Sequence, residues 1–217
     1  MENSALDGSG NGYTATLQGG AAYDNAQFGR GVKLQSSDID YVNIGDVPMT
    51  DGLSAATWSI RFMEPSIAWF GVLYSCWGAT NSSHIIVRKG NTANTEFLVF
   101  VANASNDGGT NYGLTNPGGY AAGSWNNLMV VFDGTQTGNA NRLKVYLNGA
   151  NLGFASFSGT IPATLTSPTT KYWALGRWFI GAPTYGFLGS LDEFGVWSRA
   201  LTQPDIRRVM LGLHPIS

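Results

Sequence analysis

The chain has 217 residues, of which 43% are hydrophobic and 12% charged, with 12 Lys and Arg against 14 Asp and Glu for a net charge of −2. An average soluble domain carries about 25% charged residues; here Gly, Asn, Ser and Thr together supply 82 positions. This balance is too apolar and aromatic for a disordered chain, too poor in Ala, Glu, Lys and Leu for a helical bundle, and gives no basic face for nucleic acid. No run approaches the roughly 18 apolar residues of a membrane span. An all-β globule of 217 residues, organised as one domain over 1–217, remains.

The N-terminus, Met1 to Gly8, has neither a basic region nor an apolar run, so no signal peptide is expected there. Asp7-x-Ser9-x-Asn11-Gly12 follows, with oxygen donors at alternate positions before a glycine. That pattern opens a calcium loop, or forms an Asx-type turn with no metal. Gln18 stands where a closing Glu would be, so a further carboxylate must come from elsewhere. Asp38 and Asp40, spaced i, i+2, are expected on one strand face. They read either as two carboxylates near a substrate or as a solvated strand end.

Period-2 alternation then dominates. In Thr57 to Phe62, the residues Trp58, Ile60 and Phe62 point one way, as in a half-buried antiparallel strand. Ile67 to Tyr74 and Glu96 to Ala102 are continuous apolar runs, short enough for strands covered on both faces. Cys76, the one cysteine, cannot form an internal disulfide and reads as a small buried hydrophobe. Ser83 to Arg88 is another strand. Leu128 to Phe132 precedes an Asp133-Gly134 turn, and Arg142 to Leu147 precedes Asn148-Gly149, the pair that a type I′ hairpin needs. Tyr172 to Gly176 and Phe187 to Trp197 give the last strands. A short helix follows, capped by Thr202, with Pro204 and Asp205 in its first turn and Ile206, Val209 and Met210 as its apolar stripe. Many short strands between regular turns predict a sandwich or barrel.

Six motifs occur in a familiar order: Asp7-Gly-Ser-Gly-Asn-Gly12, Phe28-Gly-Arg-Gly-Val32, Asp40-Tyr-Val-Asn-Ile44, Thr57-Trp-Ser-Ile60, Trp125-Asn-Asn-Leu-Met-Val130 leading to Leu143-Lys-Val-Tyr-Leu-Asn-Gly149, and Leu188 to Trp197 with Arg199-Ala-Leu201. Over nearly the whole chain they resemble the laminin-G-like (LamG) jelly-roll modules of the concanavalin A-like lectin/glucanase superfamily. The resemblance implies two antiparallel sheets packed face to face, with Trp58 and Trp125 in core positions. It also suggests Asp192 as the missing carboxylate, so that a structural Ca2+ would be held by Asp7, Asn11 and Asp192. Family members usually carry a strand before the first turn; only six residues precede Asp7, so that strand is shortened or supplied by another chain.

Catalysis is not expected. His84 and His214 have neither metal-ligand spacing nor a nucleophile nearby. The Glu-x-Asp-x-Glu strand of the superfamily's glycosidases is absent, and the only Glu residues are at 2, 64, 96 and 193. Aromatic residues are the better signal, because a sugar ring has an apolar face that stacks on Trp or Tyr. Trp173, Trp178 and Tyr185, with Tyr112 and Tyr120, are the candidate ligand-binding residues. Each Trp reads first as core and second as protein contact. The chain therefore reads as a non-catalytic surface module. One setting is a virion surface, as a decoration or adhesion protein packed against neighbouring subunits or copies of itself. The alternative is a carbohydrate-binding module of a secreted bacterial protein. Neither reading calls for nucleic acid or membrane insertion.

Overall fold

The computed structural model describes residues 7–35, 39–67, 70–78, 83–90, 95–103, 111–166, 171–178 and 185–216. In chain order the strands are β1 (Thr16–Gln18), β2 (Ala22–Asn25), β3 (Arg30–Leu34), β4 (Tyr41–Gly45), β5 (Ala55–Met63), β6 (Val72–Gly78), β7 (Ser83–Lys89), β8 (Phe97–Asn103), β9 (Tyr112–Thr115), β10 (Asn126–Asp133), β11 (Leu143–Leu147), β12 (Ala150–Asn151), β13 (Phe154–Ser158), β14 (Lys171–Leu175) and β15 (Gly189–Trp197). A single helical turn, α1 (Asn139–Arg142), precedes β11, and α2 (Gln203–Met210) follows β15.

These strands form two antiparallel sheets, a β-sandwich with one short C-terminal helix, as the residue pattern implied. The eight-stranded sheet runs β1-β4-β14-β6-β7-β8-β9-β13, and the seven-stranded sheet runs β12-β11-β10-β5-β15-β3-β2. Alternation places Trp58, Ile60 and Phe62 of β5, Val130 of β10 and Val145 of β11 inward. There they meet Tyr74, Val87, Val99 and Trp173 of the facing sheet. The hairpin β10–β11 continues into β12 through Asn148 and Gly149, both at positive φ (50° and 80°), the conformation a type I′ pair requires.

The outer face of the seven-stranded sheet carries α2. Met129 and Val131 pack there against Leu201 and Ile206. Helix entry is fixed by a capping box, in which the Thr202 hydroxyl accepts from the Asp205 amide while the Asp205 carboxylate accepts from the Thr202 amide. Helix exit is held by Arg61, whose Nη2 donates to the carbonyls of Val209 and Met210, a cation at the negative end of the helix dipole.

Some expectations are corrected. The run from Ile67 does not form one strand: β6 begins only at Val72, because Phe70 turns the chain with φ 73°. The last strand begins at Gly189, and its pairing shifts between Asp192 and Gly195, so Glu193 (φ 46°) is a bulge residue. Asp40 is not a solvated strand residue. It precedes β4, is buried, and accepts the backbone N–H groups of Gly20 (2.6 Å) and Gln35 (2.8 Å). Asp38, Trp69 and residues 1–6, where a shortened first strand was expected, lie outside the described residues. Trp58 is fully buried, whereas Trp125 is only partly so.

Candidate functional site

The outer face of the eight-stranded sheet is unlike an ordinary solvated face. On β7 and β8, Ile85, Val87, Val99 and Val101 face the core. Their neighbours Ile86, Leu98 and Phe100 turn outward with Val72 and form a second buried cluster, against which Tyr112, Leu114 and Trp178 pack. This is why the β8 run is continuously apolar rather than alternating: both of its faces are covered.

Arg88 lies in the middle of this apolar face, paired in register with Val72 on β6 and Leu98 on β8. Its guanidinium carbon is 5.0 Å from the Phe70 ring, 5.6 Å from Phe100 and 5.8 Å from Trp178. Nη1 donates to the carbonyl of Lys89 at 2.9 Å. Burial lowers the guanidinium pKa below its ordinary value, and the nearby Tyr185 and Tyr112 phenols oppose that shift; Arg88 stays charged, as guanidinium does in proteins. An aromatic-walled cation is thereby fixed in place, an arrangement favourable to cation–π attraction.

The loop after β14 supplies the rest. Gly176 adopts φ 82°, where a side chain would also meet Leu34 at 2.1 Å. The turn lays Arg177 and Trp178 over the sheet. The Ser75 hydroxyl, pointing outward from β6, shares its proton between the carbonyls of Arg177 (2.7 Å) and Trp178 (2.8 Å). From the other side, the Val72 amide donates to the Tyr185 carbonyl at 2.9 Å. Trp178 then lies 5.6 Å from Tyr185 and 5.8 Å from Phe100, and Phe100 lies 5.1 Å from Tyr112. Tyr185 stacks on Phe70 at 5.0 Å. Both hold left-handed backbones, φ 65° and 73°, which costs a bulky residue about 1–3 kcal/mol. Tyr185 remains 45% exposed.

Three of the five aromatics singled out from the sequence, Trp178, Tyr185 and Tyr112, are therefore brought together. The other two are not. Trp173 is 1% exposed and lies inside the sandwich against His84 and Phe194. Tyr120 is buried, packs on Phe62 and Phe97, and donates its hydroxyl to Glu64 at 2.5 Å. Burial, then the Glu64 bond, raises the Tyr120 pKa well above its usual value. Glu64 also accepts from Lys89 Nζ at 2.7 Å, and burial lowers the Lys89 pKa against the opposing pull of Glu64. Arg88, Phe100 and Phe70 were missed. An arginine directly after the apolar Ile85–Val87 run was the available signal.

The calcium donors read from the sequence each take part in hydrogen bonds. Asp7 accepts from the Ser9 amide (2.8 Å) and hydroxyl (2.7 Å), and the Ser9 hydroxyl bond is the main cause of its lowered pKa. Asn11 donates to the same hydroxyl at 2.7 Å. Asp192 is buried and accepts from the amides of Phe28 (3.3 Å) and Glu193 (2.9 Å); burial raises its pKa. Among the described residues no group of three or more His, Cys, Asp or Glu side chains is gathered for a metal. The segment at Asp7 closes on itself as an Asx turn.

Comparison with known proteins agrees with the architecture. The family profile described as the concanavalin A-like lectin/glucanases superfamily matches residues 36–207, and the chain belongs to that superfamily. No curated protein sequence matches it. Among solved structures, it resembles domain 4 of AbnA, a GH43 extracellular arabinanase from Geobacillus stearothermophilus, in complex with arabinotriose (TM-score 0.68, 19% identity, 94% of this chain and 91% of that one). It also resembles the native heptameric SAP-like pentraxin from Limulus polyphemus (TM-score 0.56, 17% identity, 74% and 71%). A third is botulinum neurotoxin type C, whose cell entry depends on interaction with two ganglioside molecules (TM-score 0.64, 15% identity, 99% of this chain and 50% of that one). At these identities the likeness is one of fold.

Proposed function

We propose that the chain is a non-catalytic carbohydrate-binding module, and that its sugar-facing surface is the outer face of the eight-stranded sheet around Trp178, Tyr185 and Tyr112. The observation that carries this reading is the convergence of those aromatics on Arg88, with Tyr185 left 45% exposed. Flat aromatic faces take the apolar face of a sugar ring, and guanidinium N–H groups suit its hydroxyl oxygens. The arabinotriose complex of the AbnA domain and the ganglioside dependence of the neurotoxin are in keeping with this use of the fold. A non-catalytic role is supported by the missing Glu-x-Asp-x-Glu strand and by Glu64 being committed to Lys89 and Tyr120. Such a module serves adhesion either on a virion surface or within a secreted protein.

The test is a glycan array probed with the intact chain and with Trp178→Ala and Tyr185→Ala. Selective binding that both variants lose by about 30-fold or more, as expected for truncated aromatic anchors, supports the reading. An array without hits, or hits indifferent to both substitutions, overturns it.

A further inference from the structure

We infer that this face takes a linear oligosaccharide lying across the strands, with Tyr41 and Arg177 forming a second subsite beside the one centred on Trp178; the inference rests on the carbohydrate-binding reading above. On β4, Val42 and Ile44 pack toward the core, so alternation turns Tyr41 outward onto the same face as Arg88 and Phe100. The Arg177 guanidinium carbon stands 4.8 Å from the Tyr41 ring centroid. Arg177 immediately precedes Trp178, and the Ser75 hydroxyl holds both of their carbonyls. One short, fixed segment therefore carries a member of each subsite, so their separation is set before any ligand arrives. Preorganisation of this kind reduces the ordering cost of binding.

The sheet order sets the span. From β4 to β8 the strands run β4-β14-β6-β7-β8, and at about 4.8 Å per interval the outward residues at the two ends are about 19 Å apart. A single sugar ring cannot touch both ends, whereas a chain of several rings can. Tyr41 meets Arg177, and Trp178, Phe100 and Tyr112 are in successive ring contact; the two groups are joined through the Arg177–Trp178 backbone. Tyr172, on β14 between the two ends, is 41% exposed. Chemistry agrees with geometry: Arg177 is only half-buried, its guanidinium lies over the Tyr41 ring, and guanidinium N–H groups are donors that sugar hydroxyl oxygens accept.

The experiment is calorimetric titration of the intact chain with linear oligosaccharides of glucose, xylose, arabinose and uronic acids, each from disaccharide to hexasaccharide. Affinity for the bound series rises with length. Tyr41→Ala weakens the hexasaccharide by about tenfold and leaves the disaccharide within about twofold. Tyr41→Phe, which keeps the ring, retains the length dependence, and circular dichroism confirms that each variant is folded. A disaccharide that binds as tightly as the hexasaccharide, or an equal loss at both lengths in Tyr41→Ala, overturns the second subsite alone. Failure of every series to bind overturns the carbohydrate reading itself, and this inference with it.

Discussion

On the outside of the seven-stranded sheet, Met129 and Val131 are covered by the chain's own helix, whose Ile206 is fully buried there. On the outside of the eight-stranded sheet, Ile86, Leu98 and Phe100 are covered by aromatic side chains from loops and by a caged Arg88, with the outermost ring, Tyr185, 45% exposed. Both surfaces are apolar enough to need a cover. Arg61 and Arg88 are the buried arginines of the two faces: Arg61 donates to two helix carbonyls and Gln27 and lies over one ring, Phe28, whereas Arg88 donates to one carbonyl and is walled by three rings. A regular element with its own caps makes a closed surface. A cover of stacked side chains on strained loops keeps flat apolar faces available to a ligand, and exposed apolar patches of that kind mark interaction sites.

The contrast predicts that stability resides in one face and binding in the other. Ile206→Ala has the largest effect on folding, a loss of about 3 kcal/mol, measured by urea unfolding, with glycan affinity unchanged below the transition. A variant that stays stable but stops binding would reverse the assignment of the two faces. Thr202→Ala removes the cap and costs about 1 kcal/mol, again with no change in glycan affinity.

The smallest effect is in acid. Asp205 accepts from Arg199 (2.8 Å), Thr202 and the Ile216 amide, and its pKa lies well below the ordinary value, with the Arg199 bond the main cause. A depressed carboxyl pKa contributes stability that is complete above the unfolded value of about 3.9 and is lost as pH falls toward the folded value. The raised pKa of Asp192 acts in the opposite sense, since its folded form takes up the proton first. Asp205→Asn therefore flattens the decline in melting temperature below about pH 4, and leaves any acid sensitivity of glycan binding as it was. An unaltered acid decline in that variant would place the sensitive group elsewhere.

Much of the helix-covered face is legible in the sequence because its signals are local. Thr202 and Asp205 are three positions apart, and Asn148-Gly149 specifies its own turn. The aromatic face is legible only in part. In Tyr172-Trp173-Ala174-Leu175 the alternation sends Trp173 inward, and Trp178 is released from that pattern because Gly176 ends the strand. Tyr120 lies in a Gly-rich loop that reads as exposed, and its burial comes from Glu64, 56 positions away. Arg88 and Phe100 share a face through strand register, which no short window of sequence contains. Asp7 bonds within its own turn, to Ser9, and is legible locally, whereas Asp192 meets the backbone of Phe28, 164 positions away, through the fold alone.

The central claim is that the aromatic face binds sugar while contributing little to folding, and it is tested most directly by measuring glycan affinity and melting temperature together on Trp178→Ala. The account predicts an affinity loss of about 30-fold or more with a melting temperature within a few degrees of the parent, about 1 kcal/mol or less. A variant that melts far earlier while still binding its glycan at the parental affinity would show that Trp178 is part of the core, and would contradict the account.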